Sequence, residues 1–138
     1  MKRSIVIAAR ILMVIYIVAL AILCFGHFDS LPRIHDKILG FDPDKFVHFL
    51  MFLPFPLLSY YAIGKNPSGP WKAIGAVLLI FLAGCLIAAA TEVGQGFLPY
   101  RSADPKDFMA DTFALALISL VVFILMLVKG IRQSRNAR

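Results

Sequence analysis

Residues 91–111 read TEVGQGFLPYRSADPKDFMAD and hold four of the chain's eight acidic residues, Glu92, Asp104, Asp107 and Asp111, with Arg101 and Lys106 among them. A second charged stretch, Asp42-Pro43-Asp44-Lys45, is followed closely by His48. A histidine set among carboxylates is suited to general acid–base chemistry, with His48 as base and Glu92 or Asp111 orienting it or acting as the acid. Arg101 would then stabilise negative charge developing on a substrate. The same residues also suit binding. Lys45, Arg101 and nearby helix N-termini would hold phosphate or carboxylate, while Glu92, Asp111 and His48 would hydrogen-bond amines or hydroxyls. A divalent ion held by His48, Glu92, Asp107 and Asp111 is chemically reasonable. No H-x-x-x-H or E-x-x-H spacing supports such a site, so no metal ligand is assigned and no cofactor is predicted. Thr91 and Ser102 are weak nucleophile candidates, near the others only in sequence.

What positions these residues is a membrane scaffold. Of 138 residues 60% are hydrophobic and 16% charged, with mean hydropathy +0.83; soluble domains average about 45–50% apolar and about 25% charged. Apolar runs cover Ile5–Phe25, Phe46–Ile63, Trp71–Phe97 and Phe108–Val128. Each is close to or longer than the roughly 18–20 residues that cross a hydrocarbon core. The expected fold is therefore all-α, an integral membrane bundle of four transmembrane helices over about 5–26, 43–63, 71–97 and 105–129, in a single domain spanning 1–138. The first run reads as a retained helix. It is too long for the apolar part of a signal peptide, and CFGHFDS after it offers no A-x-A cleavage site.

Charge sets the expected orientation. Nine basic residues in the N-terminal segment, the second connection and the tail (Lys2, Arg3, Arg10, Lys65, Lys72, Lys129, Arg132, Arg135 and Arg138) stand apart from every acid. Arg33, Lys37, Lys45, Arg101 and Lys106 share the first and third connections and adjoining helix ends with all the Asp and Glu. The positive-inside rule puts both termini and the second connection in the cytoplasm. The net charge of +6 is thus a topology signal rather than a nucleic-acid surface. Cys24 and Cys85 fall in different apolar runs and read as small buried residues, not a disulfide.

Two helices expected to run inward open alike, Asp42-Pro43-Asp44-Lys45 and Asp104-Pro105-Lys106-Asp107, with Asp as N-cap and Pro at the first helical position. Pro54-Phe55-Pro56 should kink the first of them, and Ala88-Ala89-Ala90 should admit a close neighbour. At about 1.5 Å per residue, His48 and Glu92 lie roughly 7–8 Å and Asp111 roughly 9 Å below the extracytoplasmic end of their helices. Asp44 and Lys45 sit about one turn above His48, Gln95 above Glu92, and Asp107 above Asp111. Charge at mid-bilayer is disfavoured by roughly 2.5–3.5 kcal/mol, so a shared polar pocket explains this layer better than lipid exposure. Simpler roles exist for several members. Asp42 and Asp104 serve as caps, Lys45 and Lys106 can snorkel, Asp44 and Asp107 complement helix dipoles, and a His48–Glu92 bond can be a structural bolt.

The combination D44-K45-F-V-H48, E92-V-G-Q95, R101 and D107-F-M-A-D111 resembles the VanZ-like family of small bacterial membrane proteins. That family's pattern is Asp-Lys-x-x-His, Glu-x-x-Gln, an Arg, and Asp-x-x-x-Asn on the last helix. Asp111 replaces the final Asn and adds an acid. The family takes its name from a protein linked to low-level teicoplanin resistance, so the resemblance implies glycopeptide resistance as one outcome and leaves the molecular activity open. Two readings stand on the residues. One is recognition of a lipid headgroup or cell-envelope precursor in the bacterial inner membrane, with Asp44, Lys45, Gln95, Arg101 and Asp107 as ligand-binding residues. The alternative is an enzyme acting on a lipid-linked substrate with His48, Glu92 and Asp111 as catalytic groups. A third class is a structural partner whose polar layer only locks the helices. No Gly-rich phosphate loop is present, and no charged path continues inward as a channel or transporter would need.

Overall fold

The structure, a computed structural model, describes residues 1–27, 42–67 and 69–136, the side chains of 133–136 excepted. The first connection, with Arg33 and Lys37, and the end of the basic tail lie outside the described residues. Among the described residues five helices form: α1 (Arg3–Phe25), α2 (Pro43–Phe52), α3 (Pro54–Ile63), α4 (Pro70–Gln95) and α5 (Pro105–Asn136). They make four spans long and apolar enough to cross a membrane, with α2 and α3 together forming the second. No strand occurs among the described residues.

The break between α2 and α3 falls where the two prolines predict a kink. Pro54 and Pro56 have no N–H to offer the carbonyls of Leu50 and Phe52, so the helical ladder is interrupted at Leu53. Tyr16 donates its hydroxyl to the Met51 carbonyl at 2.8 Å, satisfying a backbone acceptor at the break. At the far end, α3 stops at Gly64, whose φ of 74° is left-handed, a conformation that costs glycine little.

Helix α5 packs along α4 on one side and α2 on the other, while α1 lies chiefly against α3. The core joins Phe52, Phe55, Tyr60, Ile80, Ala88, Leu115, Val122 and Met126. Close approach is made by Gly84 and Ala88 on one face of α4. A Cβ on Gly84 would stand 2.5 Å from Leu115 Cδ2 and 3.0 Å from Phe55 Cδ1. Of the three consecutive alanines expected to admit a neighbour, Ala88 is buried, Ala89 half-buried and Ala90 exposed. The small-residue face thus follows the helical period, i to i+4, rather than the run in sequence. Large aliphatic residues such as Leu79, Leu86 and Val93 point outward, as suits helices solvated by lipid. Cys24 and Cys85 are both free.

One end of the bundle gathers the C-termini of α1 and α4 with the N-termini of α2 and α5. The opposite end carries Lys129 over the rings of Tyr60 and Tyr61, at 4.9 and 5.1 Å, and Arg10 donating to the Ala62 carbonyl at 3.0 Å. Trp71, at the start of α4, is 82% exposed, the position of an interfacial aromatic. Helix α5 continues beyond Val128 to Asn136.

Candidate functional site

At the end where α2 and α5 begin, the sequence brings ionisable groups from three spans into one layer. His48 is presented by the second turn of α2, Glu92 by the last turn of α4, and Asp107 and Asp111 by successive turns of α5. All four are buried: His48 is 3% exposed, Glu92 7%, Asp107 4% and Asp111 0%. His48 Nδ1 lies 3.2 Å from Asp111 Oδ1 and 3.8 Å from Glu92 Oε1, and its other nitrogen, Nε2, lies 3.9 Å from Asp107 Oδ2. Both ring nitrogens of one histidine thus face carboxylates.

Glu92 is held by one oxygen only. The Asp104 amide donates to Glu92 Oε2 at 3.1 Å, while Oε1 is buried with no hydrogen-bond partner among the described residues. Asp107 Oδ1 is in a similar position, with no hydrogen bond and an ion-pair contact of 3.6 Å to Lys45 Nζ. Lys45 forms the rim. Its ammonium donates to Asp104 Oδ2 at 3.3 Å and stands 3.7 Å from Asp42 Oδ2. A lysine that could have extended to headgroups is instead turned into three carboxylates.

The two Asp-Pro starts behave differently. Asp104 caps α5, its Oδ1 accepting the Lys106 amide at 2.9 Å. That amide, with the Lys45 ammonium, holds the Asp104 carboxyl below the usual carboxylate range. Asp42 occupies the N-cap of α2 but makes no side-chain cap hydrogen bond; its carboxylate faces Lys45. Asp44 is exposed and has no hydrogen bond or ion pair among the described residues.

Gln95 and Arg101 share a different task. The last four carbonyls of a helix have no partner within it. In α1 the Gly26 amide reaches Ile22, Arg101 reaches Leu23 at 3.3 Å, Gln95 reaches Cys24 at 3.0 Å and Tyr100 reaches Phe25 at 3.1 Å. Gln95, at the end of α4, and the segment after it therefore cap the last three carbonyls of α1. Glu92 and Gln95, one turn apart, serve the polar layer and this cap respectively. Sequence reasoning missed Tyr100 in the cap and the partnership of Asp104 with Lys45. The recurrent Asp-Pro start marks Asp104, but nothing local points it at Lys45. Thr91 gives its hydroxyl to the Ala88 carbonyl at 2.8 Å, and Ser102 is exposed, so neither stands as a nucleophile aligned with His48.

Two grooves among the described residues lie away from this layer. One of about 310 Å³ runs between α4 and α5, past Ile74, Phe81 and Phe123, and another of about 500 Å³ is bordered by Arg10, Ser59 and Ile80. The first is almost wholly apolar and the second mainly so.

These features define a multi-pass, all-helical membrane protein with a buried histidine–carboxylate centre near one end of its spans. The chain belongs to the VanZ/LLP1 family, whose model matches residues 13–127. No curated protein and no solved structure matches it significantly.

Proposed function

We propose that this VanZ/LLP1 protein lies in the bacterial inner membrane with both termini cytoplasmic, and that its polar centre faces the extracytoplasmic side to recognise a lipid headgroup or cell-envelope precursor. The observation that carries the reading is the orphaned Glu92 Oε1, a carboxylate oxygen buried in a layer shared with His48 and Asp111. A buried acceptor without a partner forfeits about 1–3 kcal/mol, and a bound group that donates to it recovers that loss. Lys45 and Arg101 are already engaged, so the centre offers acceptors more than free cations. The recognised part of the headgroup is accordingly one bearing hydroxyls or an amine.

The enzyme reading rests on a different observation, the His48 Nδ1–Asp111 Oδ1 pair at 3.2 Å. A carboxylate on one nitrogen orients the ring so that the other can exchange a proton with a substrate. In this fold Nε2 faces the Asp107 carboxylate at 3.9 Å, and recognition is the favoured reading.

Native mass spectrometry from mild detergent tests the proposal, comparing wild type with Glu92→Gln. A lipid or precursor mass retained by wild type and lost in the folded variant is the expected result. A folded wild-type protein that carries nothing, even when bacterial envelope lipids are supplied, would overturn it. Expression in a glycopeptide-susceptible bacterium tests whether occupancy of the centre also yields teicoplanin resistance, the outcome associated with the family's name.

A further inference from the structure

We infer that His48, Glu92 and Asp111 bind a single divalent cation of the first transition row. One donor atom from each lies within 4.8 Å of the other two, and the two separations from His48 Nδ1 are 3.2 Å to Asp111 and 3.8 Å to Glu92. Bonds of about 2.0–2.2 Å place tetrahedral ligand atoms about 3.3–3.6 Å apart. Small side-chain adjustments therefore close the set around an ion. One imidazole with two carboxylates suits manganese or zinc better than the all-oxygen cages preferred by calcium.

A proton on His48 does not replace such an ion. A single Nδ1–H points at one acceptor, and Asp111 is the nearer, which leaves Glu92 Oε1 buried and bare. A cation on the same side of the ring attracts both carboxylates at once. Its two charges are balanced by Glu92 and Asp111, and it displaces the Nδ1 proton.

The surroundings are those of a metal ligand set. The Asp104 amide fixes Glu92 through Oε2, directing Oε1 toward His48. Asp107 Oδ2 faces His48 Nε2 and is itself steadied by Lys45. A carboxylate behind the far nitrogen of a metal-bound histidine sets its tautomer and strengthens it as a ligand. This inference deepens the reading of the centre as a headgroup site, because a hydroxyl oxygen of the headgroup would complete the ion's coordination. It rests on that reading for its purpose, but not for its test.

The test uses the full chain in mild detergent, stripped with a chelator and dialysed against manganese or zinc with no lipid added. The expected result is one ion per chain by elemental analysis, absent from Glu92→Gln and kept by Asp42→Asn, which removes a surface acid. Asp107→Asn, which keeps all three ligand atoms, should weaken binding about 10–100-fold. If Glu92→Gln does not fold, wild type alone decides. Bound manganese should then show a nitrogen hyperfine coupling from imidazole, and its loss or absence overturns the proposal. No ion in folded wild type, or an ion retained equally by Glu92→Gln, also overturns it. A retained headgroup in the separate lipid experiment would survive either result.

Discussion

Replacing Asp111 tests whether the centre is limited by its surplus charge or by its hydrogen bonds. Asp111 is fully buried, and its nearest polar group is His48 Nδ1 at 3.2 Å. Five acidic side chains, Asp42, Glu92, Asp104, Asp107 and Asp111, stand against two basic ones, Lys45 and His48, so acidic groups are in surplus. Asp111→Ala removes the partner of His48 and leaves it opposite a void. Breaking one side of a buried pair costs about 3–5 kcal/mol. Asp111→Asn keeps an acceptor for Nδ1 and removes one of the surplus acidic groups. It exchanges a charge-assisted hydrogen bond, worth about 1.5–3 kcal/mol, for a neutral one worth about 0.5–1.5 kcal/mol. Its new amide can donate toward Glu92 Oε1. The expected cost of Asp111→Asn is therefore within about 1 kcal/mol, against about 3–5 kcal/mol for alanine. Reversible unfolding in mixed detergent micelles, followed by circular dichroism, measures both on metal-free protein. Equal losses would refute the reasoning, because they would mean that His48 draws nothing from an acceptor at this position.

Other parts of the structure give equally definite expectations. Gly84→Ala places a methyl against Leu115 and Phe55, and overpacking there should cost about 1–3 kcal/mol, read as a lower midpoint in the same unfolding titration. Gln95→Leu leaves the buried Cys24 carbonyl without its donor and should cost about 1–3 kcal/mol; faster hydrogen exchange confined to the end of α1 would identify the cause. The Asp104 carboxyl is held low by the Lys106 amide and by Lys45. Its contribution to stability is present above the ordinary carboxylate pKa and is lost as pH falls through its lowered folded value. Stability measured against pH should thus fall on the acid side in wild type, with a shallower fall in Asp104→Asn.

The four spans are legible in the sequence because a bilayer imposes length and composition on each segment separately, with no knowledge of its neighbours. The Pro54-Phe55-Pro56 kink is legible for the same reason: a missing amide is a local fact. His48, Glu92 and Asp111 meet as depth counting predicts, since rise per residue converts sequence position into height. Partners across helices are another matter. Depth counting places Lys45 and Arg101 beside the same layer, yet rotation about α2 turns Lys45 among carboxylates, and the connection between α4 and α5 carries Arg101 to the Leu23 carbonyl. Asp42 and Asp104 share a motif, but only Asp104 caps through its side chain.

Why so much charge occupies residues 91–111 follows from two jobs meeting in one segment. Glu92, Asp104, Asp107 and Asp111 build or support the histidine centre, whereas Gln95, Tyr100 and Arg101 supply donors to the last turn of α1. Helix α1 is only 11% buried over its most apolar stretch, so packing alone holds it weakly and the polar cap matters more. Loss of function on changing Gln95 or Arg101 is therefore ambiguous unless α1 is shown to stay docked. Glu92 escapes that ambiguity: Oε1 has no hydrogen bond among the described residues, so Glu92→Gln preserves size and the Oε2-side hydrogen bond. An effect of this variant on binding, with folding unchanged, belongs to the centre's chemistry rather than to the scaffold.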